Sequence, residues 1–322
     1  MLSVAKALSI QAHPDKALAE RLYRERPDMY RDANHKPEIA VALGPFEALC
    51  QHQICKHLKE VPELRKIAGE VHAEAFERAV ATAAAAASTA VADSDPETKR
   101  CLKALYCSLM THDDAAVREA VTGLAERLAK ETSGKVPGES DPLDLLIVRL
   151  AKQYPGDVGV LCPYLLNYVH LEEGDSVFLA ANEPHAYLSG NCVECMATSD
   201  NVVRGGLAPK FKDVPVLAEM LTYNMGPALV QRGVPSPSEG ITVYPSPVPE
   251  FLVSKVEVDP RGTFAMRASG PTVVLCVAGS GEAAGKGFKR GSVLLAEREE
   301  GDIAITGGED GALLFIAEPN SP

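Results

Sequence analysis

Three side chains near the start of the chain are of types that bind metal ions. Gln11 and His13 are two residues apart on a predicted strand, so both side chains leave the same face and can converge on one ion. Glu38 opens the apolar run 39–43, a second predicted strand from which its carboxylate can point inward. Taken singly, each also fits an ordinary exposed or hydrogen-bonded residue.

A fourth candidate ligand, His185, lies far along the chain. It follows Gly174 at the spacing G-x5-P-x-G-x2-H, which is that of the second metal motif of cupin barrels. Ala180 stands where the motif prefers proline. Asn182 stands where it prefers glycine, although asparagine is the next-best residue for a left-handed turn. Together with the first three residues, His185 gives a mixed nitrogen and oxygen shell that suits zinc.

A second group of functional side chains lies between residues 194 and 212. The segment includes Glu194 and three basic residues, Arg204, Lys210 and Lys212, with glycines and a proline between them. Three cations within nine positions of an acidic chain provide the local positive field that a phosphate group needs. A solvated surface loop remains an equally good reading of the composition.

The elements that must position these residues change type along the chain. Alternating apolar patterns predict strands before residue 44 and after residue 155, whereas residues 45–154 follow a helical period. The fold class is therefore mainly β with an α-helical insertion. We expect four segments: part of a catalytic barrel (1–44), an inserted helical domain (45–154), the remainder of that barrel with a connecting helix (155–240), and a C-terminal barrel (241–322).

Composition narrows the classes of function. The net charge of -12 and pI near 5.2 argue against binding to nucleic acid or to an anionic membrane surface, because both need a basic face. The longest apolar stretch, residues 79–92, is mostly alanine and shorter than a membrane span. The eight cysteines form no dense disulfide framework, which predicts reduced thiols in the cytoplasm. We expect a monomer.

Three strings of sequence resemble the type I mannose-6-phosphate isomerases, and the resemblance extends over essentially the whole chain. They are residues 8–16 (LSIQAHPDK), 30–38 (YRDANHKPE) and 185–204 (HAYLSGNCVECMATSDNVVR). The resemblance implies two cupin-type, jelly-roll barrels with a helical insertion, and one zinc ion per chain. It also implies that the zinc ligands are Gln11, His13, Glu38 and His185.

The resemblance further implies that the chain interconverts mannose 6-phosphate and fructose 6-phosphate through an enediol, a role that supplies mannose for GDP-mannose and glycosylation. The partner is then a small sugar phosphate. Arg204 is implied as the active-site arginine, and we expect it to stabilise the enediolate charge. Lys36 or Glu194 would relay the proton. We expect Ser9 and Lys210 to contact the phosphate, and Tyr187 to contact the substrate.

The chain departs from the family pattern in two ways. Gly205 replaces the usual alanine and Ala208 the usual threonine. Family members also carry a strand-rich segment before the position of Met1, so we expect residues 3–13 to present an unpaired edge. A catalytically impaired, truncated homologue that acts as a binding or regulatory protein is therefore an alternative. A metal-dependent oxygenase on the same barrel is a third, less favoured reading.

Overall fold

The computed structural model describes residues 1–53, 55–86, 95–136, 138–209, 212–237, 240–268, 270–297 and 302–320. There are two antiparallel β assemblies, and a block of helices interrupts the sequence of the first one. The predicted class, mainly β with a helical insertion, is confirmed.

The first assembly, hereafter the catalytic barrel, contains nine strands of the described chain. They are β1 (Leu2–Val4), β2 (Ile10–Ala12), β3 (Glu38–Ala42), β4 (Phe46–His52), β5 (Leu166–Leu171), β6 (Asp175–Leu179), β7 (His185–Met196), β8 (Val203–Gly206) and β9 (Val230–Arg232). The central path is β5-β4-β7-β3-β6-β9, and β1, β2 and β8 join it through β7 and β2.

The long strand β7 holds the two halves of the catalytic barrel together. Its first residues pair with β2 and β4, and its later residues pair with β1 and β3. The change of partners takes place at Gly190, which has a φ of 106°. A Cβ atom there would lie 2.4 Å from the carbonyl oxygen of Pro45. Glycine is therefore required where the strand bends from one layer to the other.

The inserted helical block begins later than the sequence pattern predicted. Helix α1 (Lys16–Glu25) belongs to the barrel, and the insertion comprises α2 (Pro62–Ala68), α3 (Glu70–Ala86), α4 (Pro96–Met110), α5 (Asp114–Thr132) and α6 (Pro142–Gln153). The side chains of Asp95 and Asp141 cap α4 and α6, and each is followed by a proline at the first helical position. The expected boundary at residue 45 is moved, because residues 46–52 form β4. That strand is paired with β5 and β7.

The second assembly, the C-terminal barrel, contains eight strands of the described chain. They are β10 (Val234–Pro235), β11 (Ile241–Tyr244), β12 (Leu252–Val258), β13 (Thr263–Met266), β14 (Thr272–Ala283), β15 (Lys286–Lys289), β16 (Val293–Ala296) and β17 (Ile303–Glu318). Since β9 pairs with β6 and β10 pairs with β11, the chain passes between the barrels near residue 233 rather than 241. Helix α7 (Val214–Met220) forms the connecting helix expected before this crossing.

Separate apolar clusters hold these parts together. Leu102, Leu105 and Leu109 form one face of α4, which is fully buried in a large core shared by the insertion and the catalytic barrel. The two barrels meet through a smaller cluster that includes Ile39 and Phe315. The catalytic barrel is therefore supported on two sides by apolar packing.

The expectation of an unpaired edge over residues 3–13 holds only in part. Strand β1 pairs with β7, and within the described ranges it has no second neighbour. Strand β2 has β7 on one side and β8 on the other, so the edge does not reach the residues near Gln11. Within the described ranges, the helices are too short or too polar to cross a membrane.

Candidate metal centre and active site

Three strand ends bring the predicted metal ligands to one place. His13 directly follows β2, whereas Glu38 and His185 are the first residues of β3 and β7. In the barrel, Gln11 lies opposite His185 in one strand pair and opposite Arg204 in the other. Antiparallel pairing therefore assembles side chains that are up to 193 positions apart in the chain.

The three ionisable side chains form a compact buried group. His13 Nε2 lies 3.1 Å from Glu38 Oε1, and His185 Nε2 lies 3.5 Å from Glu38 Oε2. The candidate ligand atoms all lie within 4.8 Å of one another, and each residue is 1% exposed. These distances allow all three side chains to share one ion.

The fit to a cation is tested by the polar atoms that this group leaves without partners. His13 Nε2, Glu38 Oε2 and His185 Nε2 are buried and have no hydrogen-bond partner among the described residues. Unsatisfied buried polar atoms are costly, so native proteins satisfy them with protein groups, water or ions. A divalent ion would contact all three atoms, and the two imidazoles and the carboxylate are ligands that zinc accepts.

Hydrogen bonds on the far sides of the imidazoles orient both rings. His13 Nδ1 lies 2.6 Å from the carbonyl oxygen of Asn201, and His185 Nδ1 lies 3.2 Å from that of Glu183. Because a carbonyl oxygen can only accept, each Nδ1 carries a proton and each Nε2 presents its lone pair to the group. Burial lowers the pKa of His13, which favours this neutral, ligating form.

Glu38 is ionised despite its burial. Burial alone would raise the pKa of its carboxyl group, but the close approach of the His13 and His185 imidazoles outweighs this effect and holds the pKa below its usual range. The Lys36 ammonium lies 3.0 Å from Glu38 Oε1 and is largely shielded from solvent. Glu38 therefore provides a fixed negative charge at the centre of the group.

Comparisons with known proteins agree with this geometry. Models of the phosphomannose isomerase type I catalytic domain and helical insertion domain match residues 1–54 and 67–166. A mannose-6-phosphate isomerase of Arabidopsis thaliana is 41% identical over 331 residues, which cover 100% of this chain and 71% of the plant protein. The chain belongs to the type I phosphomannose isomerase family.

Other relatives in this family support the same assignment. The human mannose-6-phosphate isomerase is 42% identical over 265 residues, covering 80% of this chain and 60% of the human protein. A mutant phosphomannose isomerase from Salmonella typhimurium superposes with a TM-score of 0.78 at 26% identity, over 98% of this chain and 77% of that one. A zinc-bound mannose 6-phosphate isomerase structure gives a TM-score of 0.73 at 27% identity, covering 99% and 78%.

The type I isomerase string that begins at His185 contributes two further groups, the half-buried Glu194 and the buried Tyr187. Glu194 lies on β7 opposite Ala40, and burial raises the pKa of its carboxyl group, with a second contribution from the charge of Glu38. Tyr187 is 4% exposed and interacts with Glu194, yet its hydroxyl makes no hydrogen bond of good geometry to a described residue. These groups place a carboxyl and a phenol beside the candidate metal ligands.

Arg204 lies on β8, beside Gln11 and on the other side of it from His185. Within the described part of the chain, no ion pair or hydrogen bond holds its guanidinium group, whereas nearby Lys212 pairs with Asp157 at 3.5 Å. The Arg204 side chain is partly exposed. A guanidinium without an internal partner is available to an anionic ligand.

The two expected phosphate contacts differ in whether the structure describes them. Lys210 lies outside the described residues. Ser9 precedes β2 by one residue and is partly exposed, and the β2–β8 register shifts between Ile10 and Gln11. The expectation that Ser9 contacts the phosphate stays a prediction.

Asn201 connects the candidate site to a neighbouring loop, a role that its sequence position alone does not indicate. In addition to orienting His13, its side-chain amide donates to the carbonyl oxygens of Asp32 and Asn34, at 2.7 and 3.0 Å. It thereby attaches the 32–36 loop, which carries Lys36, to the metal ligands. Its place in the 185–204 string was the available signal, but no spacing rule marks an asparagine that acts through its backbone.

Proposed function

We propose that this chain is a zinc-dependent isomerase that interconverts mannose 6-phosphate and fructose 6-phosphate. The observation that carries the proposal is the buried set of His13, Glu38 and His185, whose ligand atoms lack partners and lie next to the Arg204 strand. Family membership supplies the reaction, since the relatives bear the name mannose-6-phosphate isomerase.

Four residues would hold the ion in this proposal. His13 and His185 would ligate through Nε2 and Glu38 through a carboxylate oxygen, and Gln11 would add its neutral amide oxygen from the adjoining strand. When bound, zinc supplies a Lewis acid that polarises the oxygens of the sugar. No described cysteine lies in this group, so the shell would consist of nitrogen and oxygen atoms.

The isomerisation transfers a proton from C2 of the aldose to C1 of the ketose. At the same time the hydroxyl proton on O2 is lost and O1 gains a proton. This chemistry needs a base near the carbon atoms and a positive group near the oxygen that becomes negative. We assign the base to Glu194, because burial raises the pKa of its carboxyl group. Lys36 is paired with Glu38, and we assign it the role of a charged donor.

Arg204 is assigned to the developing oxyanion. It has no ion-pair partner within the described ranges, and it lies beside Gln11 on the neighbouring strand, which supports this assignment. Preorganised positive groups of this kind stabilise enediolate charge without rearranging during the reaction. Tyr187, Ser9 and Lys210 are proposed substrate contacts.

A coupled assay for fructose 6-phosphate tests the proposal. We expect turnover of mannose 6-phosphate by the purified chain, its loss on treatment with a chelator, and its return on addition of zinc. A folded chain that binds zinc stoichiometrically but gives no turnover would contradict the enzyme proposal, and would favour a binding or regulatory protein instead.

The cellular setting is also a proposal. We propose a cytoplasmic monomer. All eight cysteines are unpaired in the structure, which supports a reducing compartment. Sedimentation analysis of the purified chain at micromolar concentration tests the monomer, and a dimer at that concentration would contradict it.

A further inference from the structure

Asn182 lies in a backbone conformation that most side chains avoid. Its φ is 63°, in the left-handed region, and it is located three residues before His185 in the turn between β6 and β7. The cupin metal motif prefers glycine at this position, because glycine adopts positive φ without steric cost. An asparagine here keeps the turn but adds a side chain that glycine lacks.

That side chain is paired with Asp15, two residues after His13. The Asn182 amide nitrogen donates to Asp15 Oδ2 at 2.8 Å, and the Asp15 backbone N–H donates to Asn182 Oδ1 at 3.1 Å. The Asn182 backbone N–H donates to the carbonyl oxygen of His13 itself, at 2.8 Å. Three hydrogen bonds thus join the segment that carries one imidazole to the segment that precedes the other.

Few other contacts in this region fix the position of His13 relative to His185. Gln11 and His185 pair in register, but β2 is three residues long and its pairing with β7 is limited to that one position. Beyond the end of β2, the position of His13 relative to His185 depends on contacts outside the ladder. The Asn182–Asp15 side-chain pair and the Asn182 N–H bond to His13 are such contacts.

We propose that Asn182 and Asp15 are positioning residues that set the separation of His13 and His185, and with it the affinity of the chain for zinc. This inference rests on the proposed function, because it assumes that the two histidines bind the ion. Groups that orient metal ligands typically change metal affinity by about 10–100-fold when they are removed.

The primary variant is Asn182→Gly. Glycine accepts the positive φ, so the turn is retained while both side-chain hydrogen bonds are lost, and the charge of the chain does not change. We expect zinc affinity, measured with Zn2+ alone against a chromophoric chelator, to fall about 10-fold. The melting temperature of the metal-free chain should change little.

A charge-neutral exchange provides a rescue. In Asp15→Asn, the side-chain oxygen must still accept from Leu18 N–H to cap α1, a bond of 2.9 Å in the structure, so its amide would face the Asn182 amide. Two donors then meet and affinity should fall. In the double variant Asp15→Asn with Asn182→Asp, a donor again meets an acceptor, and we expect affinity to return to within about threefold of the original.

Ala284→Gly is the matched control, since Ala284 also has a left-handed φ, of 47°, and lies in the C-terminal barrel. It should leave zinc affinity unchanged. Equal zinc affinities for the original chain and Asn182→Gly, or no recovery in the double variant, would overturn the inference while the isomerase proposal stands. If the original chain itself failed to bind zinc, the proposed function would fall and the inference with it.

Discussion

The two barrels of this protein are both antiparallel, but their interiors differ in chemistry. The C-terminal barrel is filled by apolar side chains such as Val256, Ile305 and Leu314, and no histidine follows residue 185 in the sequence. The catalytic barrel buries a carboxylate and two imidazoles at its strand ends, each 1% exposed. Desolvating such groups is costly without strong partners. We infer that the metal-binding residues make the catalytic barrel less stable than apolar residues at the same positions would.

Removal of the Glu38 carboxylate should have the largest effect of the changes proposed for the catalytic barrel. Glu38→Gln keeps the shape of the side chain but removes the negative charge that would bind the ion. We expect loss of bound zinc and a decrease in kcat/KM of about 10³-fold or more, since a metal supplies several kcal/mol of charge stabilisation. Zinc content by atomic absorption and the coupled assay measure both.

The matched change in the other barrel is Glu318→Gln, at the end of β17. It should leave zinc content and turnover unchanged. Similar losses in the two variants would show that the chemistry is not confined to the first barrel.

The next largest effect is expected for Arg204→Ala. Loss of the proposed oxyanion partner should lower kcat by about 10²–10³-fold while zinc remains bound. Arg232→Ala is the control, because this arginine is exposed and pairs with Asp175 and Glu172 on the outer strands. Unchanged turnover in Arg204→Ala, with zinc intact, would remove the arginine from the mechanism.

A pH-dependent loss of stability should also come from the first half of the molecule. His52 on β4 is fully buried against Tyr106 and Tyr223, and burial lowers its pKa to about 3. Its contribution to stability is therefore complete above its unfolded pKa near 6.5. It is lost at about 1.4 kcal/mol per pH unit as the pH falls from 6.5 toward 3.

Urea unfolding of the metal-free chain between pH 4 and 7 measures this slope. His52→Phe can pack against the same two tyrosines. It should reduce the slope of the free energy of unfolding against pH by about 1.4 kcal/mol per pH unit, the value for one bound proton. The exposed His170, changed to phenylalanine, is the control. An identical slope in the His52 variant and the original chain would mean that His52 is not held neutral.

The smallest effect compares equal packing defects in the two barrels. Ile10→Val and Ile305→Val each remove one methylene from a fully buried site, and each should lower the free energy of unfolding by about 0.5–1.5 kcal/mol. Ile10 precedes Gln11 and packs beside Gly205, so its variant should also lower kcat/KM, on the order of 2–10-fold. Equal activity in both variants would contradict the proposal that only the first barrel carries the chemistry.

The parts of the site that follow local rules could be predicted from the sequence. The i, i+2 relation of Gln11 and His13, the Asp-Pro helix caps and the left-handed tolerance of Asn182 each depend on neighbouring residues only. The family strings located Glu38, His185 and Arg204. For these residues, the structure supplies distances and partners rather than new identities.

What the sequence could not provide depends on pairing between distant segments. Strand β4 was taken for the start of the helical block because residues 46–52 show no clear alternation: five of the seven are buried, since β4 lies between β5 and β7. Asn201 and Asp15 act through bonds to residues more than 160 positions away. Neither the spacing of residues nor the composition predicts such long-range contacts.

The central claim is that His13, Glu38 and His185 share one zinc ion inside the first barrel. Anomalous diffraction at the zinc edge, from crystals of the zinc-loaded chain, tests it most directly. We predict one strong peak about 2.0–2.2 Å from His13 Nε2, His185 Nε2 and a Glu38 oxygen. A peak at any other position, or three side chains that stay in place with no ion between them, would contradict the account.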